Sequence, residues 1–260
     1  MQTPPLVPPN PQTDLGGDLN PVTVLCGDCR KVIPTLLPDG LVNMVLTDPP
    51  YGMDYRTNRT DVKGPAVPGD RDLTYAWRVL STVVCAAYQK LTSDAWYYLF
   101  CNNALRDLLT ADRKLSDELM EGELQPGYDE LIWAKPVGSG DVTGQRYRPS
   151  YERVLVFRKG QPKLNGHPGN LIWGDRPGRK SKIHSMQKEL YGLVDMIEQA
   201  TRPGEVILDP FAGSGSVAAA MCMFLPESEW RRIILIEQDE AMCERIARRL
   251  SPFTKVGTEL

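Results

Sequence analysis

From residue 22 onward the chain alternates short apolar runs with longer segments of helical periodicity. The runs Val22–Gly27, Leu41–Thr47, Ala95–Cys101, Glu130–Ala134, Arg153–Phe157, Val206–Asp209 and Ile233–Glu237 are rich in β-branched or aromatic residues and are bounded by Gly, Pro, Asp or Asn, which predicts seven strands. Between them, Cys29–Leu37, Tyr75–Leu91, Ala104–Glu121, Met186–Thr201, Ser216–Phe224 and Glu240–Leu250 read as helices. Tyr75–Leu91, for example, brings Val79, Val83, Ala86, Ala87 and Leu91 near one face. Alternation of this kind predicts right-handed βαβ crossovers, and so an α/β fold with a doubly wound, mostly parallel sheet covered by helices on both sides.

Three stretches depart from the pattern. Residues 1–21 carry Pro4, Pro5, Pro8, Pro9, Pro11 and Pro21 and read as an extended or disordered arm, leaving 22–260 as one domain. Gly52–Asp72 and Lys159–Ile183 are polar, rich in Gly and Pro, and long for loops inside a compact domain, a length usually associated with function. At 260 residues the chain is long enough for one sizeable core. It has no apolar run of membrane-spanning length and no basic-then-apolar signal segment. Several of its six cysteines sit inside apolar runs, which fits reduced thiols and a cytoplasmic protein. The C-x-x-C formed by Cys26 and Cys29 has no second pair at zinc spacing, so no metal is expected.

Charge changes this picture at one place. The net charge is −3, yet between Lys135 and Lys188 there are 12 Lys or Arg against 3 Asp or Glu, an excess of +9 that leaves −12 for the rest. That split suits a one-sided phosphate-binding surface, although a solvated basic loop explains it equally well.

Two segments carry chemistry. Val206–Ser216 is a buried strand running into Asp209-Pro210-Phe211-Ala212-Gly213-Ser214-Gly215 and then an alanine-rich helix start. Glycines there let the backbone approach a ligand, and the helix start offers N–H groups. Glu237, with Gln238 after it, ends the next strand about 20 residues later, where an acidic residue binds ribose hydroxyls. The signal is a nucleoside-cofactor site, open at this point to a nicotinamide cofactor or to S-adenosylmethionine. A phosphate-binding P-loop is disfavoured, because no Gly-Lys-Ser/Thr follows the turn. The second segment is the strand ending in Thr47-Asp48-Pro49-Pro50-Tyr51-Gly52. Its prolines stiffen the backbone and remove N–H donors. A carboxylate and a backbone carbonyl can then converge on an NH₂ group while a ring stacks on a flat base. A third segment, Ile183-His184-Ser185-Met186-Gln187-Lys188, leads into the helix before the Asp209 strand and on its own supports no more than a helix cap.

Taken together these segments resemble the amino-methyltransferases of DNA, in the permuted group where the catalytic segment precedes the cofactor segment. Further likenesses are Val24–Cys29 with Asp28, Leu131–Pro136 as an Ile-Trp-x-Lys strand, and Arg148-Pro149-Ser150-Tyr151-Glu152 as an Arg-x-x-His-Glu segment with Tyr151 in the His position. His184, Gln187 and Lys188 match a His-Pro-Thr-Gln-Lys-Pro segment whose prolines and Thr are absent here. The resemblance implies a Rossmann-like methyltransferase fold of seven strands with one antiparallel, and places the Asp48 and Asp209 strands side by side. It implies S-adenosylmethionine as cofactor, held by Asp28, Asp48, His184, Ser185, Gln187, Lys188, Asp209, Phe211, Ala212, Gly213, Ser214, Gly215, Glu237 and Gln238. Asp48, Pro49, Pro50 and Tyr51 are the expected catalytic residues. Double-stranded DNA is the expected partner, with the target base flipped onto Tyr51. Tyr55 then serves as a second aromatic, and Lys135, Arg146, Arg148, Arg179, Lys180 and Lys182 make phosphate or base contacts. Asp48 at the head of its segment favours adenine N6 over cytosine N4. So short a basic stretch leaves three routes to recognition: a short site, help from residues 52–72, or a homodimer. A cognate restriction enzyme is left open as a partner. The rival readings are a nicotinamide-dependent oxidoreductase, which has no use for the Asp48 segment, a DNA-binding protein of the same fold without transfer activity, and an enzyme acting on RNA or a protein amide.

Overall fold

The central strands are unbroken apolar runs because helices bury them on both faces. The computed structural model describes residues 21–52, 72–111, 125–134, 150–173 and 190–251. In chain order these form β1 (Val22–Cys26), α1 (Cys29–Leu36), β2 (Val42–Thr47), α2 (Leu73–Lys90), β3 (Leu91–Cys101), α3 (Asn103–Ala111), β4 (Gln125–Ala134), β5 (Tyr151–Lys159) and β6 (Leu171–Trp173). There follow α4 (Leu190–Ala200), β7 (Val206–Asp209), α5 (Ser216–Phe224), a 3₁₀ turn at Glu227–Glu229, β8 (Arg232–Glu237) and α6 (Glu240–Leu250).

The strands make one sheet in the order β1-β8-β7-β2-β3-β5-β4-β6. β5 pairs antiparallel with β3 and with β4, while the other pairings are parallel, so β5 is the one reversed strand among the described residues. The expected single antiparallel strand is present; the expected count of seven is exceeded, because the described residues form eight strands. The extra one, β6, lies inside Lys159–Ile183, which the sequence presents as loop. Three residues between glycine- and proline-bearing flanks carry too little periodicity to register. They are strand because β4 offers them an open edge, with Ile132 opposite Leu171 and Trp133 opposite Ile172. The arm at residues 1–20 and most of Gly52–Asp72 lie outside the described residues.

Side-chain alternation sorts the core into two layers. Met44, Leu46, Trp96, Tyr98, Phe100, Trp133, Val154, Val156, Ile207, Ile233 and Leu235 pack against α4, α5 and α6. Val45, Tyr97, Leu99, Phe157, Leu208, Ile234 and Ile236 pack against α1, α2 and α3. On α2 the buried stripe is Ala76, Val79, Leu80, Val83, Val84 and Ala87, close to the predicted face. No described helix is long and apolar enough to cross a membrane.

The outer strands β4 and β6 also meet α4 at close range. Gly192 on α4 faces the ring of Trp133, and a Cβ there would fall 2.6 Å from Cζ3 of Trp133 and 2.8 Å from Cγ2 of Ile172. Glycine is required at this point because β4 and β6 meet the helix at backbone distance. Gly192→Val is expected to lower stability by about 1–3 kcal/mol, the usual cost of overpacking, read as a drop in the thermal unfolding midpoint of the otherwise unchanged chain.

Candidate active site

All the parallel strands end on one edge of the sheet, and the segments singled out by sequence gather there. β2 and β7 are direct neighbours, with Met44 opposite Ile207 and Val45 opposite Leu208. β7 leads through α5 to β8 on one side, and β2 leads through α2 to β3 on the other. The crevice between them is therefore the topological switch point, where open α/β sheets take their ligands. Asp48 and Asp209, 161 positions apart in sequence, end these two strands.

A buried hydrogen bond fixes that junction. Thr47 Oγ1 donates to Asp209 Oδ1 at 2.7 Å, and the same oxygen accepts the Phe211 N–H at 3.2 Å. Asp209 is 4% exposed, so its carboxylate is held by protein donors rather than water. Beyond it the chain turns: Gly213 and Gly215 have φ of 51° and 71°, in the left-handed region that favours glycine. Gly215 precedes the first turn of α5 with no side-chain cap, which leaves helix N–H groups available to a ligand. A Cβ on Gly215 would also press to 3.1 Å from Ile246 Cγ2.

Glu237 ties the loop to the next strand. Its Oε2 accepts the Gly213 N–H at 2.9 Å, and its Oε1 accepts the Gln238 and Asp239 N–H groups at 2.8 and 3.0 Å. Its backbone carbonyl receives the Gly27 N–H at 2.8 Å, carrying the β1–β8 ladder up to Asp28. Asp28 caps α1 through the Arg30 N–H at 3.0 Å and pairs with the Arg30 guanidinium at 2.6 Å. That hydrogen-bonded guanidinium holds the Asp28 carboxyl below its ordinary value of 3.8.

On the other side of the crevice, Asp48 and Tyr51 meet directly, with the Tyr51 hydroxyl donating to Asp48 Oδ1. Burial first, then the negative charges of Asp48 and Glu152, push the Tyr51 phenol well above its ordinary range. The ring packs against the layer under α1 to α3, as does that of Phe211. Pro49 is buried and Pro50 half-buried.

Asp28, Asp48, Pro49, Pro50, Tyr51, Asp209, Phe211, Ala212, Gly213, Ser214, Gly215, Glu237 and Gln238 thus lie along one edge. Tyr55, Lys135, Arg146, Arg148, Arg179, Lys180, Lys182, His184, Ser185, Gln187 and Lys188 lie outside the described residues. Sequence reasoning passed over Thr47, although a hydroxyl at the buried end of an apolar strand is the signal that would have found it. It also passed over Arg249, which donates to the Ser214 carbonyl at 2.7 Å and steadies the glycine loop from α6. Cys26 and Cys29 are not a pair: Cys29 is buried in the layer under α1, while Cys26 sits in β1 beside Cys243 of α6. Among the described residues no group of three His, Cys, Asp or Glu could hold a metal ion.

Known proteins share this sequence family and this fold. The sequence profile of the DNA methylase family of the N6/N4 type matches residues 42–249. A protein of Escherichia coli (strain K12) named "Putative methylase YubD" is 30% identical over 195 residues, covering 75% of this chain and 77% of that one. Among solved structures, the cytosine-N4-specific PvuII DNA methyltransferase superposes with a TM-score of 0.64 at 15% identity, covering 90% of this chain and 89% of its own. The complex of M1.HpyAVI with S-adenosylmethionine gives 0.60 at 19%, covering 88% and 99%.

Two outcomes follow from the junction and the cap. Thr47→Val should cost about 1–3 kcal/mol, since it leaves a buried carboxylate short of a donor; denaturant titration measures it. Ionised Asp28 adds stability that is present above pH about 3.8 and lost as pH falls through its lower folded value. Asp28→Asn should therefore flatten the decline in stability below pH about 4, followed by denaturant midpoints at low ionic strength.

Proposed function

We propose that this chain, which belongs to the N6/N4 family of DNA methylases, moves a methyl group from S-adenosylmethionine to N6 of adenine in double-stranded DNA. One observation carries the reading: the Asp48–Tyr51 segment and the Phe211–Gly215 loop end adjacent parallel strands and are joined through the Thr47–Asp209 bond. A nicotinamide enzyme would need the loop but not the segment beside it. When bound, S-adenosylmethionine supplies an electrophilic methyl group on a sulfonium.

The residues of the chain bind, orient and polarise. Gly213 and Gly215 let the loop backbone come close to the cofactor, and Phe211 covers its adenosine. Glu237 Oε1 takes two backbone donors and Oε2 takes one, which leaves Oε2 capacity for a ribose hydroxyl. His184, Ser185, Gln187 and Lys188 complete the cofactor contacts. On the substrate side, the flipped base displaces the Tyr51 hydroxyl from Asp48. Asp48 and the Pro49 carbonyl then accept the two amine hydrogens, which turns the nitrogen lone pair out of the ring toward the methyl group. Tyr51, with Tyr55, stacks on the base. Lys135, Arg146, Arg148, Arg179, Lys180 and Lys182 supply cations for the DNA backbone. Catalysis is positioning plus electrostatics. Adenine is preferred because Asp rather than Ser heads the segment; N4 of cytosine is the alternative, since either amine fits two acceptors.

Asp48→Ala is expected to lower methyl transfer into unmethylated DNA by about 100-fold or more, with cofactor affinity changed by a few-fold at most. Labelled cofactor and calorimetry read the two quantities, and transfer near the parent rate removes Asp48 from the chemistry. Nucleoside analysis of the product separates N6-methyladenine from N4-methylcytosine.

A further inference from the structure

β5 enters the sheet from the edge at which the other strands end. Its first residues, Tyr151 and Glu152, therefore stand at the level of the site, opposite Ala134 and Trp133. The registers fix where. Thr47 lies opposite Leu99, and Phe100 and Cys101 lie opposite Val154 and Arg153, so Glu152 falls one position beyond the β3 end, two strands across from Asp48. By the two-residue alternation it shares a face with Val154 and Val156, the face that carries α4 to α6 and the glycine loop. Glu152 is half-buried, and its Oε2 is shut off from solvent. Its charge reaches the Tyr51 phenol.

Carboxylates at Glu237, Asp209 and Asp48 end β8, β7 and β2, and Glu152 continues that row past β3. The first two are engaged with the glycine loop. The last two flank the place assigned above to the target base. Two strand spacings across and two residues along the strand separate their backbones by about 12 Å, enough for a flat ring between their side chains.

We infer that Glu152 is a second carboxylate of the target-amine pocket, facing the positive charge that moves onto the amine nitrogen during transfer. This rests on the reading of Asp48 as the amine acceptor. In the step, the sulfur–methyl bond breaks with its electron pair staying on sulfur, and the amine lone pair forms the nitrogen–methyl bond. Positive charge passes from sulfur to nitrogen, and the surplus proton leaves the nitrogen for the nearer carboxylate and then water. A negative charge on the far side of the amine from Asp48 lowers the energy of that transition state more than that of the neutral amine in the ground state. Arg153, the neighbour of Glu152, points to the other face, where it is held by Glu130 at 2.6 Å and Asn103 at 3.1 Å.

The test compares Glu152→Gln, Glu152→Asp and Glu130→Gln in the full chain, using tritiated S-adenosylmethionine and unmethylated genomic DNA. Glu152→Gln is expected to reduce kcat by about 10- to 100-fold, with the KM for DNA, the cofactor Kd by calorimetry and the Tm all near parent values. Glu152→Asp should recover part of the loss, and Glu130→Gln should stay within about threefold of the parent. A Glu152→Gln kcat within about threefold of the parent overturns the inference. So does a joint fall in kcat, cofactor affinity and Tm, or an equal loss in Glu130→Gln, since either marks a structural lesion of the β4–β5 edge. A parent chain that transfers no methyl group to DNA overturns the underlying reading instead.

Discussion

The pairing of β2 with β7 is the constraint on which the rest of this structure depends. Both strands are buried on both faces, and they come from distant parts of the sequence, Thr47 and Asp209 being 162 positions apart. Hydrophobic burial brings them together but specifies position weakly along the strand. The hydroxyl–carboxylate bond at their ends supplies that specification. It sets Asp209, and with it the start of the glycine loop, at a fixed height relative to Asp48. A slip in that pairing would move the Asp48–Tyr51 segment past the loop and leave the two without a shared crevice.

The site is built as a row of carboxylates along one sheet edge, each given a different task by its surroundings. Asp28 is neutralised locally by Arg30 and serves the α1 cap. Asp209 is turned inward to hold Thr47 and the loop backbone. Glu237 is oriented by three backbone donors. Asp48 is met by a phenol hydroxyl from three residues along its own segment. Each group exchanges hydration for protein donors, which is how several acidic residues coexist on one edge without a metal-binding cluster among them.

Much of this was legible in the sequence because it is encoded locally. The strands and helices of the central sheet follow from apolar runs, and both loop motifs follow from glycine and proline placement at strand ends. Val206–Asp209, Ser216–Phe224 and Glu240–Leu250 match the predicted spans to the residue. What was missed is long-range. β6 is strand because of the edge that β4 presents, information absent from Leu171–Trp173 themselves. Thr47 matters through a partner far away, and Arg249 through a carbonyl 35 positions earlier. Glu152 was visible inside a motif, but its position depends on β5 running backwards. The C-x-x-C, which the sequence already reads as no metal site, has Cys29 in the layer under α1 and Cys26 beside Cys243 of α6.

The sheet order has a consequence for how the molecule is made. β1 takes its partner from β8, with Val22 opposite Ile233. During synthesis the first strand therefore waits, unpaired on its only inner edge, until more than 200 further residues have been added. Non-local parallel pairings of this kind fold slowly, and a waiting apolar strand is open to wrong partners. Val22–Cys26 is the segment that a chaperone would have most reason to shield.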